Sequence, residues 1–498
     1  MSQGQVCVIG AGFGGLALAV RLQSAGISTT LVEARDKPGG RAYVFEDEGF
    51  TFDAGPTVIT DPACVEELFA LSGRKLSDYV PLIPVSPFYR LLWEDGDAFD
   101  YVNDQAELDR QISRKNPADV EGYRRFLKFS EAVYDEGYRR LGATPFLKIT
   151  DMLAAAPQLV GLEAWRSVYD KVASFVRDDH LRQALSFHTL LVGGSPFAAS
   201  SIYALIHALE RDGGVWFPKG GTHALVRALA KLFQDLGGKL ILGSKVRRIV
   251  TESGKVQGIV HPDGAFEAFD AVASNADIVH TYDVLLSEDA RGRAAARGLK
   301  RRRFSPSLFV TYFGLRRPHD PKLAHHTICF GPRYRGLIDE IYGKNALSED
   351  FSLYLHAPCA TDPDLAPPGC SAYYALSPVP HLATAAIDWD AEGPKYRDRI
   401  FDYLDARYLP GLKADLVTSR IFTPKDFERE LNAWRGSAFS LEPVLTQSAW
   451  FRTHNRDDVI PNLYFVGAGT HPGAGVPGVV GSAKATAGLM IADLKSAA

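Results

Sequence analysis

The chain has 498 residues, with 55 Lys plus Arg against 59 Asp plus Glu for a net charge of −4, and 46% of its residues are apolar. That length is too great for one ordinary core and calls for two domains or one large interleaved pair. The near-balanced charge leaves no electrostatic footprint for nucleic acid. The five cysteines (Cys7, Cys64, Cys329, Cys359, Cys370) form no C-x-x-C pair and suit reduced thiols. No apolar run of about 18 residues is present, so a spanning helix is not expected. A first strand that begins at Val6 leaves no room for a secretory or transit leader. The expectation is a chain on the cytoplasmic side that can still lie on a membrane surface.

Residues 6–9 are a strand-like apolar run that meets Gly10-Ala11-Gly12-Phe13-Gly14-Gly15, and residues 16–25 then read as a helix. Gly26 stops it, a second strand follows over 29–32, and Glu33 ends that strand. This order builds a phosphate-binding βαβ unit. Gly10 permits the turn, Gly12 lets backbone approach a pyrophosphate, Gly15 lets helix pack on strand, and the helix N-terminus offers free N–H groups to an anion. Glu33 is placed to accept from a ribose hydroxyl. Next comes Pro38-Gly39-Gly40-Arg41, a glycine doublet with a basic residue behind it, which a nicotinamide-only fold does not need. With it, residues 10–41 resemble the FAD-binding opening of the amine oxidase and carotenoid desaturase superfamily. That resemblance places Gly39, Gly40 and Arg41 beside the dinucleotide phosphates.

Residues 43–57 read as a hairpin broken at Gly55-Pro56, and residues 64–71 as a short helix. Prolines at 81, 84 and 87 mark the passage from one domain to the next. Helical patterning covers 120–141. Residues 145–176 mix apolar bulk, Trp165 and Tyr169 with Lys148, Arg166 and Lys171, and Pro157 is expected to split them into two short helices. Such a stretch can rest among lipid headgroups or form a helical layer of a soluble core, and periodicity leaves both open. Thr150-Asp151 suits a helix N-cap, and a catalytic carboxylate at Asp151 is the competing reading.

His188 and His207 are either site residues or packed, hydrogen-bonded histidines, and no histidine spacing resembles a metal site. A long amphipathic helix is expected over 223–236, strands over 239–242 and 245–250, and hairpin turns at Ser253-Gly254 and Asp263-Gly264. Lys300-Arg301-Arg302-Arg303 can face anionic lipid or solvent. A strand follows over 308–313. Between 330 and 450, β-runs at 351–356 and 371–376 alternate with a helix at 396–408, and His325, His326, His356 and His381 suggest no ligand geometry. A strand at 462–466 then runs into Gly467-Ala468-Gly469-Thr470-His471-Pro472-Gly473-Ala474-Gly475-Val476-Pro477-Gly478, ahead of a helix over 479–494. So many glycines between strand and helix indicate close backbone approach to a flat ligand.

Residues 10–22, 36–60, 184–194, 330–334, 353–359 and 468–487 resemble the bacterial phytoene desaturase family. The pair Thr470-His471-Pro472-Gly473 and Gly475-Val476-Pro477-Gly478 is the most specific part of the match. The resemblance implies an α/β protein with a Rossmann-type FAD-binding domain (1–90, 215–295, 455–498). Interleaved with it is a mixed α+β substrate domain (91–214, 296–454) carrying a helical layer able to contact a membrane. It also implies FAD on Gly467, Gly469, Val476 and Pro477, with Val246 at the adenine. Ala468 stands where many superfamily members carry an acid. The implied activity is stepwise removal of hydrogen from the C40 carotenoid 15-cis-phytoene towards all-trans-lycopene; the terminal acceptor, a quinone or oxygen, stays open. The number of steps and any proton-accepting residue stay open. A flavin amine oxidase, a carotenoid isomerase or ketolase, and an isoprenoid-binding escort of the GDI type are the alternatives.

Overall fold

The computed structural model describes residues 4–344, 346–383 and 385–497; residues 1–3, 345, 384 and 498 of the expected domain ranges lie outside these. The first apolar run forms the middle strand, Gln5–Ile9, of a five-stranded parallel sheet. Its neighbours are Ala271–Ser274 and then Leu463–Phe465 on one side, and Ser28–Val32 and then Lys239–Ile241 on the other. Successive side chains on a strand point to opposite faces. Val6 and Val8 therefore enter a core shared with the helices Phe13–Ser24, Thr222–Asp235 and Val476–Ala497, whereas Cys7 and Ile9 enter a second core. That second core is covered by a three-stranded antiparallel sheet spanning Arg248–Glu252, Lys255–Val260 and Phe266–Ala268. A parallel sheet covered on both faces reads as a continuous apolar run, which is why no alternation shows at 6–9.

The other large element is a seven-stranded sheet. Its order is Leu416–Phe422, Ser307–Leu315, Ser371–Val379, Leu353–His356, His326–Phe330, Tyr89–Trp93, Ala98–Tyr101. Every pairing is antiparallel except that of His326–Phe330 with Tyr89–Trp93. Along Ser307–Leu315, Leu308, Val310 and Tyr312 face the largest aromatic core, and Phe309, Phe313 and Leu315 face the helix Trp389–Arg407.

Several expectations shift. The strand expected at 245–250 lies at Arg248–Glu252, and residues 245–246 have no strand pairing. Pro157 does not split the helical stretch: one helix runs Ile149–Gly161 with the proline inside it. The ring removes one hydrogen bond, and the helix holds because Met152, Ala155 and Leu159 pack with Leu141 and Phe146. The boundaries expected at 90/91 and 295/296 cut through the strand Tyr89–Trp93 and the helix Ala290–Leu299. The strands His326–Phe330 and Leu416–Phe422 carried no signal that separated them from their surroundings.

Candidate functional site

The glycine turn sits at the C-terminal end of the central strands. Gly12 precedes the helix Phe13–Ser24 in an extended conformation with no side-chain cap, so the first N–H groups of the helix stay free. Gly15 is fixed by space, because a Cβ there would stand 1.9 Å from the Gly10 carbonyl oxygen. The doublet lies against this turn: the Gly39 N–H donates to the Ala11 carbonyl at 2.8 Å, and Gly39 takes a φ of +130° that side chains avoid. A Cβ on Gly40 would come within 3.4 Å of the Gly12 Cα. Side chains at these glycines would fill the space between the two turns, so the backbone is shaped to admit a phosphate group.

Glu33 is buried at the end of its strand. One carboxylate oxygen accepts the Ala11 N–H at 2.7 Å and the other the Arg35 N–H at 2.9 Å. The carboxylate thus braces the glycine turn and keeps lone pairs for a second donor. Arg41 donates through Nε to the Ala438 carbonyl at 2.6 Å; burial lowers its pKa, and nearby Asp277 opposes that shift. Asn275, at the end of Ala271–Ser274, donates to the Gly10 carbonyl at 3.2 Å. Gly467 enters the same corner, with its N–H on the Ser482 hydroxyl at 3.1 Å. Buried Arg452 holds the loop that follows, donating to the carbonyls of Ala468 at 2.6 Å and Thr470 at 3.2 Å. The resemblance reaches Asn275 only as part of the strand end at 273–276 that it places over the cofactor, and neither pattern nor resemblance singles out Arg452, whose partners Ala468 and Thr470 lie further along the chain.

One cavity connects this corner to an apolar chamber. Gly10, Gly12, Glu33, Gly39, Gly40, Arg41, Val246, Val476 and Pro477 line its polar end. Gly15, Gly467 and Gly469 stand behind that wall; a Cβ on Gly469 would meet Ile278 at 3.0 Å. The chamber wall is built from Phe187, Leu190, Leu191, Ile202, Leu205, Leu308, Val310, Ile328, Phe330, Leu337, Ile338 and Ile341. Met152 and Leu159 of the helix Ile149–Gly161 also reach it. Asp151 does not line it: its carboxylate accepts the Lys148 N–H at 3.0 Å at the start of the helix. Lys219 is exposed and lies outside the cavity, 3.8 Å from Asp364.

Polar groups interrupt the apolar wall: Thr57, Tyr89, Glu210, Tyr354 and Tyr374 also line the cavity, bonded to one another or to groups behind it. Thr57 Oγ1 stands 2.9 Å from Tyr354 Oη and 2.7 Å from Tyr374 Oη, and Tyr374 donates to the Gly55 carbonyl. Glu210 is fully buried, accepting from Tyr89 Oη at 2.6 Å with His188 Nε2 at 3.1 Å. Burial pushes the Glu210 carboxyl up to about 7 and the His188 and His207 imidazoles down to about 3. At neutral pH the His188 contact is therefore a hydrogen bond from a neutral ring rather than an ion pair. His325, His326 and His356, unrelated by spacing, also come together here, because His326 and His356 are direct partners on adjacent strands.

A covered parallel sheet, an uncapped helix over a glycine cradle, and an apolar chamber opening from it define a dinucleotide-dependent oxidoreductase acting on an apolar substrate. The chain belongs to the flavin-containing amine oxidoreductases, whose family model matches residues 13–491. It is 66% identical over 487 residues to a lycopene-forming phytoene desaturase of Pantoea ananas, covering 98% of this chain and 99% of that protein. It is 42% identical over 491 residues to a neurosporene-forming phytoene desaturase of Rhodobacter capsulatus, covering 98% and 94%. Among solved structures, cyclohexylamine oxidase from Brevibacterium oxydans IH-35A superposes with a TM-score of 0.64 at 18% identity, covering 99% of this chain and all (100%) of that one. That likeness carries the fold alone.

Proposed function

We propose that this protein is an FAD-dependent desaturase that converts 15-cis-phytoene to all-trans-lycopene in carotenoid biosynthesis. The observation that carries the reading is one cavity with a glycine-lined polar end and an apolar chamber, in a chain 66% identical to a lycopene-forming desaturase. The wall is mostly leucine, isoleucine and phenylalanine, and its buried carboxyl, Glu210, is already engaged by Tyr89 and His188; a hydrocarbon is favoured there by roughly 25 cal/mol per Å² removed from water. The fully formed glycine cradle argues against an escort protein.

FAD, when bound, supplies the two-electron acceptor for the hydrogen removed. The residues of the cradle fit that group. We assign the pyrophosphate to Gly12, Gly39 and Gly40 at the free helix N-terminus, with Gly10 and Gly15 setting the turn. The ribose goes to Glu33, the adenine to the backbone at Val246, and Arg41 lies beside the phosphates. The backbone at Val476 and Pro477, with Gly467 and Gly469 shaping the loop that leads there, receives the ring. The helix begins at Val476, and its N-terminus would stabilise negative charge on a ring held there. Phe187, Ile328 and Phe330 hold one stretch of the polyene and exclude water from it. Asp151 is given a capping role and no chemical one.

The division into an FAD-binding part (1–90, 215–295, 455–498) and a substrate part (91–214, 296–454) follows the two sheets, with the first boundary moved ahead of Tyr89. No helix among the described residues is long and apolar enough to cross a membrane. We place a membrane-surface contact on the helix Ile149–Gly161 and the turn after it. Ile149 (44%), Leu153 (64%), Val160 (58%) and Trp165 (60%) are exposed there, while the opposite side of the same helix lines the chamber. The basic run at 300–303 supports this less, since Lys300, Arg302 and Arg303 are bonded to Asp283, the Phe451 carbonyl and Glu442. Incubation of the FAD-loaded protein with liposomes containing 15-cis-phytoene and a quinone or oxygen gives lycopene by chromatography; recovery of unchanged phytoene sinks the reading.

A further inference from the structure

The adjacent pair His325 and His326 meets His356, from the neighbouring strand, behind the chamber wall. His325 precedes the strand His326–Phe330, His326 opens it, and His356 closes the neighbouring strand. Their exposures are 4%, 0% and 1%, and one nitrogen from each lies within 4.8 Å of the other two. Two rings are held through Nδ1: His325 stands 2.6 Å from Thr361 Oγ1, and His326 stands 2.6 Å from Tyr354 Oη. Nε2 of both rings, and both ring nitrogens of His356, make no hydrogen bond of full geometry among the described residues. The His325 carbonyl accepts the Ala357 N–H at 2.9 Å and keeps a second lone pair for one nitrogen of the His356 ring, which leaves the other nitrogen of that ring open.

Buried polar atoms are nearly always bonded, so three open nitrogens, one on each ring, gathered in one place call for a physical cause. A histidine that only fills core space spreads its bonds, as His207 does with Tyr101 Oη at 3.1 Å and the Leu185 carbonyl at 3.0 Å. The other three rings do the opposite. Each keeps a nitrogen in reserve, and two are oriented through the far side of the ring.

We propose that His325, His326 and His356 form a binding site for a transition-metal dication of the Zn2+ or Co2+ type. Imidazole nitrogens suit such ions, and a donor set without carboxylates does not suit Mg2+ or Ca2+. A hydroxyl on Nδ1 that fixes the tautomer and leaves Nε2 to ligate is the outer-shell arrangement of metal-bound histidines. Ligand nitrogens about 2.0–2.1 Å from a tetrahedral zinc stand about 3.4 Å apart. The rings therefore draw in by side-chain rotation as the ion seats, and a fourth position is left for water. The ion clamps two strands whose Ile328 and Leu353 line the chamber, and Tyr354 ties it to Thr57 in the same wall.

The test uses the full-length, FAD-loaded protein, stripped with a chelator and titrated with CoCl2 and then ZnCl2. The expected result is one equivalent of cobalt with the visible d–d absorption of a tetrahedral nitrogen site, displacement by zinc, and a melting temperature that rises with zinc. His356→Leu, which removes one of the three rings, abolishes the cobalt spectrum; Tyr354→Phe weakens cobalt binding about 10–100-fold. Cobalt binding unchanged in a folded His356→Leu protein overturns the assignment. Should that variant fail to fold, the wild type decides: folded protein with neither a cobalt spectrum nor a zinc-dependent rise in melting temperature overturns it equally. None of these readouts depends on turnover, so the site stands or falls apart from the desaturase reading.

Discussion

The glycine cradle and the apolar chamber share one cavity but are specified in different ways. The cradle is a backbone object: two short runs, 10–15 and 38–41, set its shape, and the absence of side chains is what each position contributes. The chamber is a side-chain object, summed from residues on many segments between 137 and 479, none of which is individually required by geometry. Intolerance to change should therefore be sharp and local in the cradle, and graded and distributed in the chamber.

Gly15→Val tests the sharp limit. Its Cβ would stand 1.9 Å from a carbonyl oxygen, and relief of such overlap costs about 3 kcal/mol or more. The expected outcome is a protein purified without flavin absorbance, and normal FAD content in that variant would break the comparison. The next largest effect lies in the chamber wall, at its buried carboxyl. Glu210 titrates at about 7 in the folded chain against an ordinary value of 4.5. The stability contributed by its protonated form is complete below about pH 4.5 and is lost as pH rises through about 7. Glu210→Gln removes that dependence. Denaturant unfolding should show the variant gaining on the wild type by up to ~3 kcal/mol between pH 4.5 and 8.

Asp53 joins the two regions. Its carboxylate accepts the Thr222 and His223 N–H groups at 2.8 and 3.1 Å, capping the helix Thr222–Asp235. Asp53→Ala should lower unfolding free energy by about 1–2 kcal/mol while FAD content is kept. The smallest effect is at the surface. Leu153→Asp with Trp165→Ser should weaken partition into vesicles about tenfold, a cost of ~1.4 kcal/mol, with no change in melting temperature. Unchanged partition would remove the membrane contact from this helix.

How much was legible in the sequence follows the same division. Residues 10–41 made the two glycine turns legible because those determinants are close in the chain and conformational, whereas Val246, Asn275 and Val476 reach the same corner from far away. The chamber could be inferred only from resemblance, since Leu308 and Phe330 become neighbours of one ligand through sheet order, which no local pattern encodes. The histidine cluster shows this most plainly: 30 residues separate His326 from His356 in the chain, yet the strand register sets them opposite each other. Pro157 misled for a related reason. A proline is read as a break, and the packing that lets the helix continue is supplied by Leu141 and Phe146 of the preceding loop. Asn275 and Arg452 bond backbone that arrives from elsewhere in the chain, so their roles too had no local trace.

The order of strands in the parallel sheet has a consequence for how the protein is made. The outer strand at Leu463–Phe465 and the helix Val476–Ala497 are translated long after the first helix of the chain, Phe13–Ser24, yet the late helix packs directly on it. The nucleotide corner therefore stays unfinished through nearly all of synthesis, and its earliest segment must wait for its latest. Early and late segments must both be present before the corner is complete, so a chain cut short before Val476 is expected to purify without flavin absorbance.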